Sequence, residues 1–202
     1  MKVGNLFLAG TLISFGALMS GCYTAPSTVV LNPGKVPGCS TRHDGNIALK
    51  FEDGRTEKTS VGKLTGRIGK NAVLEVQGKL EERLADLFSD VLTQAGYRVV
   101  AGSPALLEGE VREFWVHADG WTQAASERIR LRLRDKAGLV LWEQTFRGED
   151  GGMDMVDAFA EKSMNIALTR LLSEAAEQFG SEVLLPLGAE SSRKRVGDLL
   201  PF

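Results

Sequence analysis

The chain has 202 residues, with 24 Lys+Arg against 26 Asp+Glu and a formal net charge of −2. That balance excludes nucleic-acid binding driven by bulk charge, and a hydrophobic fraction of 43% excludes wholesale disorder. Two cysteines exclude a disulfide-stapled miniprotein, and the length fits one domain with tails.

The N-terminus reads as an address. Lys2 beside the free amine is followed by an uncharged apolar run of 14 residues, Leu6 to Met19, and then Ser20-Gly21-Cys22. A bilayer-spanning helix needs roughly 20 residues, so this run fits the apolar core of a secretory signal instead. Leu18-Met19-Ser20-Gly21-Cys22 resembles the lipobox of bacterial lipoproteins, with Met19 where Leu is usual. The resemblance implies cleavage before Cys22, which then carries S-diacylglycerol and N-acyl (palmitate-type) lipid as the only cofactor-like group. Tyr23 rather than Asp follows the cysteine. By analogy with enterobacterial sorting, that points to the outer membrane, on its periplasmic face.

Residues 23–45 hold three prolines and no helical period, so residues 22–45 are expected to be the lipidated cysteine and a flexible linker. As a coil, this tether reaches roughly 25–30 Å. Val29-Val30-Leu31 could dock as a short edge strand. A single α+β domain is expected over 46–180, and 181–202 reads as a loose tail.

Ile47, Leu49 and Phe51 alternate with polar residues and predict a strand. A weak strand follows at about 60–68 in a Gly- and Lys-rich stretch. Leu80, Leu84, Leu87, Phe88, Val91, Leu92 and Ala95 share one face of a helix expected over about 75–95, with Gly96 as its C-cap. Tyr97–Val100 and Leu106–His117 predict strands. In Thr122–Arg134, Ile129, Leu131 and Leu133 face one way and Arg128, Arg130, Arg132 and Arg134 the other. Leu139–Phe146 closes the sheet, and 148–152 reads as a flexible acidic loop. A second amphipathic helix is expected over about 153–179, carrying Met164, Leu168, Leu171, Ala175 and Phe179. The order β-α-β-β-β-β-α predicts an α+β two-layer sandwich. Its sheet is expected to be mainly antiparallel, with 4–5 strands and both helices on one face.

Catalytic signals are sparse. His43 lies in the linker and His117 near a strand end, and no His/Cys/Asp/Glu spacing matches a metal site. Phosphate-loop, dinucleotide and nucleophile-elbow motifs are absent from the sequence. Glu108 and Glu110 share a strand face, so a carboxylate pair acting on cell-wall glycan is an alternative reading. The plainer reading pairs Glu108, Glu110 and Glu113 with the arginines across the strand. If free, Arg128, Arg130, Arg132 and Arg134 form a surface for an anionic partner. Cys39 is left as a lone thiol that could pair between molecules. Phe114, Trp115, Trp142 and Phe159 are candidates to line a lipid cavity, although core packing is the favoured role for each.

Several short motifs point to a family. Ile47-Ala-Leu-Lys-Phe-Glu-Asp53-Gly-Arg55, a Val61-Gly62 or Ile68-Gly69 step, and a helix ending Gln94-Ala-Gly96-Tyr97 resemble the YajG-like lipoproteins. Gly138, Trp142, Phe146 and Gly148 are similar to that family's last strand. The resemblance covers roughly 45–180 and implies location and fold more than mechanism. The expected function is a non-enzymatic outer-membrane lipoprotein serving as an accessory or binding module for an envelope protein. An auxiliary lipoprotein of an ABC-type lipid transport system is an alternative.

Overall fold

The computed structural model describes residues 27–38, 43–65, 71–119, 122–153 and 159–180. Its elements are β1 (Ser27–Val29), β2 (Gly45–Asp53), β3 (Gly62–Thr65), β4 (Asn71–Val76), α1 (Leu80–Gln94), β5 (Tyr97–Val99), β6 (Leu106–Ala118), β7 (Thr122–Arg134), β8 (Val140–Met153) and α2 (Phe159–Phe179). The three longest strands form a continuous antiparallel meander, β6–β7–β8. Their alternation puts Leu107, Val111, Phe114, Ile129, Leu131, Leu133 and Phe146 on the buried face.

β6 is the centre of the sheet. One of its edges carries β7. The other is shared by two shorter parallel strands, β2 along Leu106–Val111 and β3 along Val116–Ala118. β5 adds to β2, β4 to β3, and β1 to β4. The result is an eight-stranded sheet curled into a half-barrel, not a flat two-layer sandwich of four or five strands. The α+β class and the long antiparallel pairings are as expected from the sequence. β5 falls where the sequence predicts a strand, and β1 and β3 fall in stretches with only a weak strand signal. The unexpected addition is β4, and β1, β3 and β4 are only three to six residues long. Such segments hold too little of a two-residue period to stand out in sequence.

Arg55 closes the gap that β2 and β3 leave along β6. Its guanidinium pairs with Asp53 at 2.8 Å and donates to the carbonyls of Ser60 (2.8 Å) and Phe114 (3.0 Å). The Phe114 carbonyl has no strand partner there, so the buried cation supplies the hydrogen bond that a buried acceptor requires.

α1 begins later than its apolar period suggests. Asn71–Val76 instead pairs with β3 as a hairpin, and Gly78 (φ +87°) turns the chain into the helix. Leu84, Phe88, Val91 and Leu92 of α1 meet Met164, Leu168, Leu171 and Phe179 of α2 in one core over the sheet. Phe51, Phe88 and Phe179 form a chain of ring contacts through it, at 5.0 and 6.4 Å. The acidic stretch expected as a loop is the far end of β8, because β7 is long enough to pair with Glu149–Met153. Val29 and Leu31 are buried, so part of the expected linker belongs to the folded body. Cys22, Cys39, the signal segment and the residues after 180 lie outside the described residues.

Candidate functional site

Both helices pack on one face of the sheet, and the other face carries a lattice of charge. β6 contributes Glu108, Glu110 and Glu113. β2 places Lys50 beside Glu108 and Glu52 beside Glu110. β7 sets Arg134, Arg132, Arg130 and Arg128 along the other side of the acidic row. The pleat requires this separation: residues two apart on a strand share a face.

The arginines are largely occupied. Arg134 Nε donates to Glu108 at 2.6 Å, and Arg132 donates to Glu110 at 2.8 Å. Arg130 donates to the same Glu110 oxygen, and Arg112 reaches the other at 2.8 Å. Arg128 pairs with Glu113 at 3.2 Å. Glu143 on β8 lies 3.8 Å from both Arg130 and Arg132. Burial disfavours the charge on Glu110. The hydrogen bonds from Arg130 and Arg132, with the charges of Arg112 and Arg130, outweigh that cost and hold its carboxyl below the ordinary value. The ladder is therefore one half of a cross-strand lattice, not a strip of free cations. Lys50, Glu52, Glu108, Glu110, Arg132 and Arg134 line a shallow cavity of about 220 Å³ on this face.

Arg147 differs from the ladder. It is exposed, it lies directly across from Arg128, and no carboxylate among the described residues pairs with it. Like charges directly opposite on a ladder are destabilising.

On the helix side, Glu127 occupies the apolar register of β7, between Ala125 and Ile129. It is 1% exposed, and neither carboxylate oxygen has a hydrogen-bond partner among the described residues. Burial raises its pKa well above the ordinary value. The signal in the sequence is an acid in phase with Ile129, Leu131 and Leu133, opposite in phase to the four arginines.

The other candidates separate. His43 is buried and stacked on Tyr97 at 5.2 Å, while His117 is exposed. Phe114 lies in the core, and Trp142 packs against Phe146 at 6.2 Å. Trp115 faces the charged side, opposite Ser126. The aromatics thus do not converge on one cavity, and the side chain of Phe159 lies outside the described part. Among the described residues, no group of three His, Cys, Asp or Glu could hold a metal ion, and no helix is long and apolar enough to cross a membrane.

Fold and site together define a mixed α+β half-barrel with helices on one face and, on the other, a charged lattice that no described element covers. No family model matches the sequence, and no curated protein matches it. Among solved structures, the chain is similar to protein XCC0632 from Xanthomonas campestris, described as DUF330. The two share 16% identity with a TM-score of 0.61, over 83% of this chain and 99% of that one. That likeness shows a shared fold. More distant are the PelC dodecamer from Paraburkholderia phytofirmans (14% identity, TM-score 0.42, 76% of this chain and 94% of that one) and lipoprotein GNA1162 from Neisseria meningitidis (12%, 0.38, 65% and 98%).

Proposed function

We propose that this chain is a non-enzymatic lipoprotein anchored through Cys22 at the periplasmic face of the outer membrane. There it serves as an accessory or binding module for an envelope protein. The observation that carries the reading is the sheet face that no described element covers. Its row of glutamates and ladder of arginines is preassembled by cross-strand ion pairs and offers both charge signs in fixed positions. Arranged polar groups of this kind give an interface specificity more than raw affinity.

The same lattice argues against carboxylate catalysis. A glycosidase acid must hold its proton near neutral pH, which requires a raised pKa. Glu110, the most sheltered carboxylate of the row, is shifted in the opposite direction. The lipobox-like Leu18–Cys22 supplies the anchor.

Two measurements test the reading. Mass spectrometry of the membrane-extracted protein is expected to find Cys22 acylated at a new N-terminus, and an unmodified Cys22 in a soluble protein overturns the anchor. Photo-crosslinking in intact cells from Ser126, on the charged face, is expected to trap an envelope protein. Reversing Arg128 to Glu and Glu113 to Arg together, which keeps their cross-strand pair, should abolish that product while leaving the circular dichroism unchanged. Crosslinks that persist after reversal overturn the role of this face.

A further inference from the structure

We propose that the free edge of β8 pairs with the same edge of a second copy of this chain. The two strands run antiparallel about a two-fold axis at Thr145. β8 spans 14 residues, and among the described strands only β7 pairs with it; on its other edge, Arg170 of α2 meets the Glu149 carbonyl alone. A long unpaired edge is a template for strand addition. Val140–Met153 contains neither proline nor lysine, its one irregularity in pairing is confined to the Val140–Trp142 end, and Val140 and Leu141 are exposed apolar residues on it.

The direction of the backbone groups fixes which residues pair. Arg170 of α2 donates to the carbonyl of Glu149. That carbonyl therefore points away from β7, over the edge. Alternate residues point the same way, so Arg147, Thr145 and Glu143 also offer their N–H and C=O groups outward. All three are exposed.

Charge then selects the register. A two-fold at Thr145 sets Glu143 of each copy opposite Arg147 of the other, giving two opposite-charge pairs. A two-fold at Glu143 would set that glutamate against itself, and one at Arg147 would set two arginines together. Opposite charges directly across an antiparallel pair are favourable and like charges are not. The pairing also supplies what each side chain lacks within its own chain. Among the described residues, Arg147 lies across from Arg128 and pairs with no carboxylate, and Glu143 reaches its arginines no closer than 3.8 Å. The contact is isologous, so it closes as a dimer rather than propagating. The two charged faces join into one continuous surface. This inference does not depend on the identity of any other partner.

The test uses the full chain in detergent, sized by light scattering corrected for the micelle. The wild type is expected to be a dimer. Glu143→Arg and Arg147→Glu should each halve the protein mass, because each homodimer then opposes like charges. Mixing the two variants, differently tagged, should restore the dimer and allow one tag to capture the other, since every cross-strand pair is again Arg–Glu. This mixing arm also shows that neither variant failed merely by misfolding. A monomeric wild type overturns the proposal, as when another segment or protein covers the edge. Variants that stay dimeric, or a mixture that stays monomeric, overturn it equally.

Discussion

Glu127 and Arg55 are both buried ionisable side chains, and they differ in what surrounds them. Arg55 is met by a carboxylate and by carbonyls that would otherwise lack donors. Glu127 has no such partners and stands in an apolar layer. Its raised pKa gives stability a definite pH dependence. The folded chain binds a proton more tightly than the unfolded chain, so folding is penalised once the unfolded glutamate ionises. Stability should therefore fall as pH rises above about 4.5, and level off once the folded carboxyl ionises too. Other groups add their own slopes, so the difference between variants is the clean measure. Glu127→Leu should stabilise the chain at pH 7.5 by about 1–3 kcal/mol, the usual mutational cost of an unpaired buried polar group. In urea melts, the gain should shrink toward pH 4. A gain independent of pH would mean that the carboxyl is not the source of the penalty.

At the scale of elements, β8 and α2 meet at Gly148. A Cβ there would lie 2.0 Å from the carbonyl oxygen of Ala167 and 2.7 Å from its carbon. Those are backbone atoms of a helix and cannot rotate aside. Gly148→Ala should lower stability by about 3 kcal/mol, the upper part of the usual range for overpacking. Gly152→Ala, on the same strand with nothing within 4 Å of its added Cβ, should change it by less than about 0.5 kcal/mol. Denaturant melts of the two variants check this, and equal effects would mean that α2 does not press on the sheet there. Sequence made some of this level legible. The strands β6 and β7 and the apolar stripe of α2 each repeat their period several times, so they could be read directly. β3 and β4 do not separate in the sequence, because each is too short to complete its alternation, and the helical pattern of α1 extends back into β4. The far end of β8 was hidden for another reason. Glu149-Asp-Gly-Gly has no strand propensity of its own and pairs because β7 lies beside it. The site was half legible in the same way. Arginine parity is a local property of one strand, whereas the acids that occupy those arginines come from β6 and β8.

At the scale of the whole molecule, the N-terminal segment changes how far the body can stand from a membrane. Residues 27–36 do not hang free. Val29 and Leu31 are buried, Asn165 accepts from the Asn32 N–H at 2.7 Å, and Thr169 accepts from the Gly34 N–H at 2.8 Å. α2 thus clasps the chain shortly after Ser27. With Cys22 acylated, as proposed, only residues 23–26 are left as spacer. Even fully extended they span about 15 Å, well below the 25–30 Å expected for a free linker. The charged sheet face would then be held at a fixed height and orientation, which suits a module that meets a partner in the same membrane. Replacing Val29 and Leu31 by Asp should release the segment, since an unpaired charge is expelled from an apolar core. Energy transfer from a fluorophore on the Asp135–Gly138 turn to labelled lipid headgroups in vesicles measures the height. The wild type should give one short-range distance, and the released variant a broader and longer one. Equal distances in the two proteins would mean that the docked segment does not set the height, and the spacing would then have to come from the body's own contact with the bilayer.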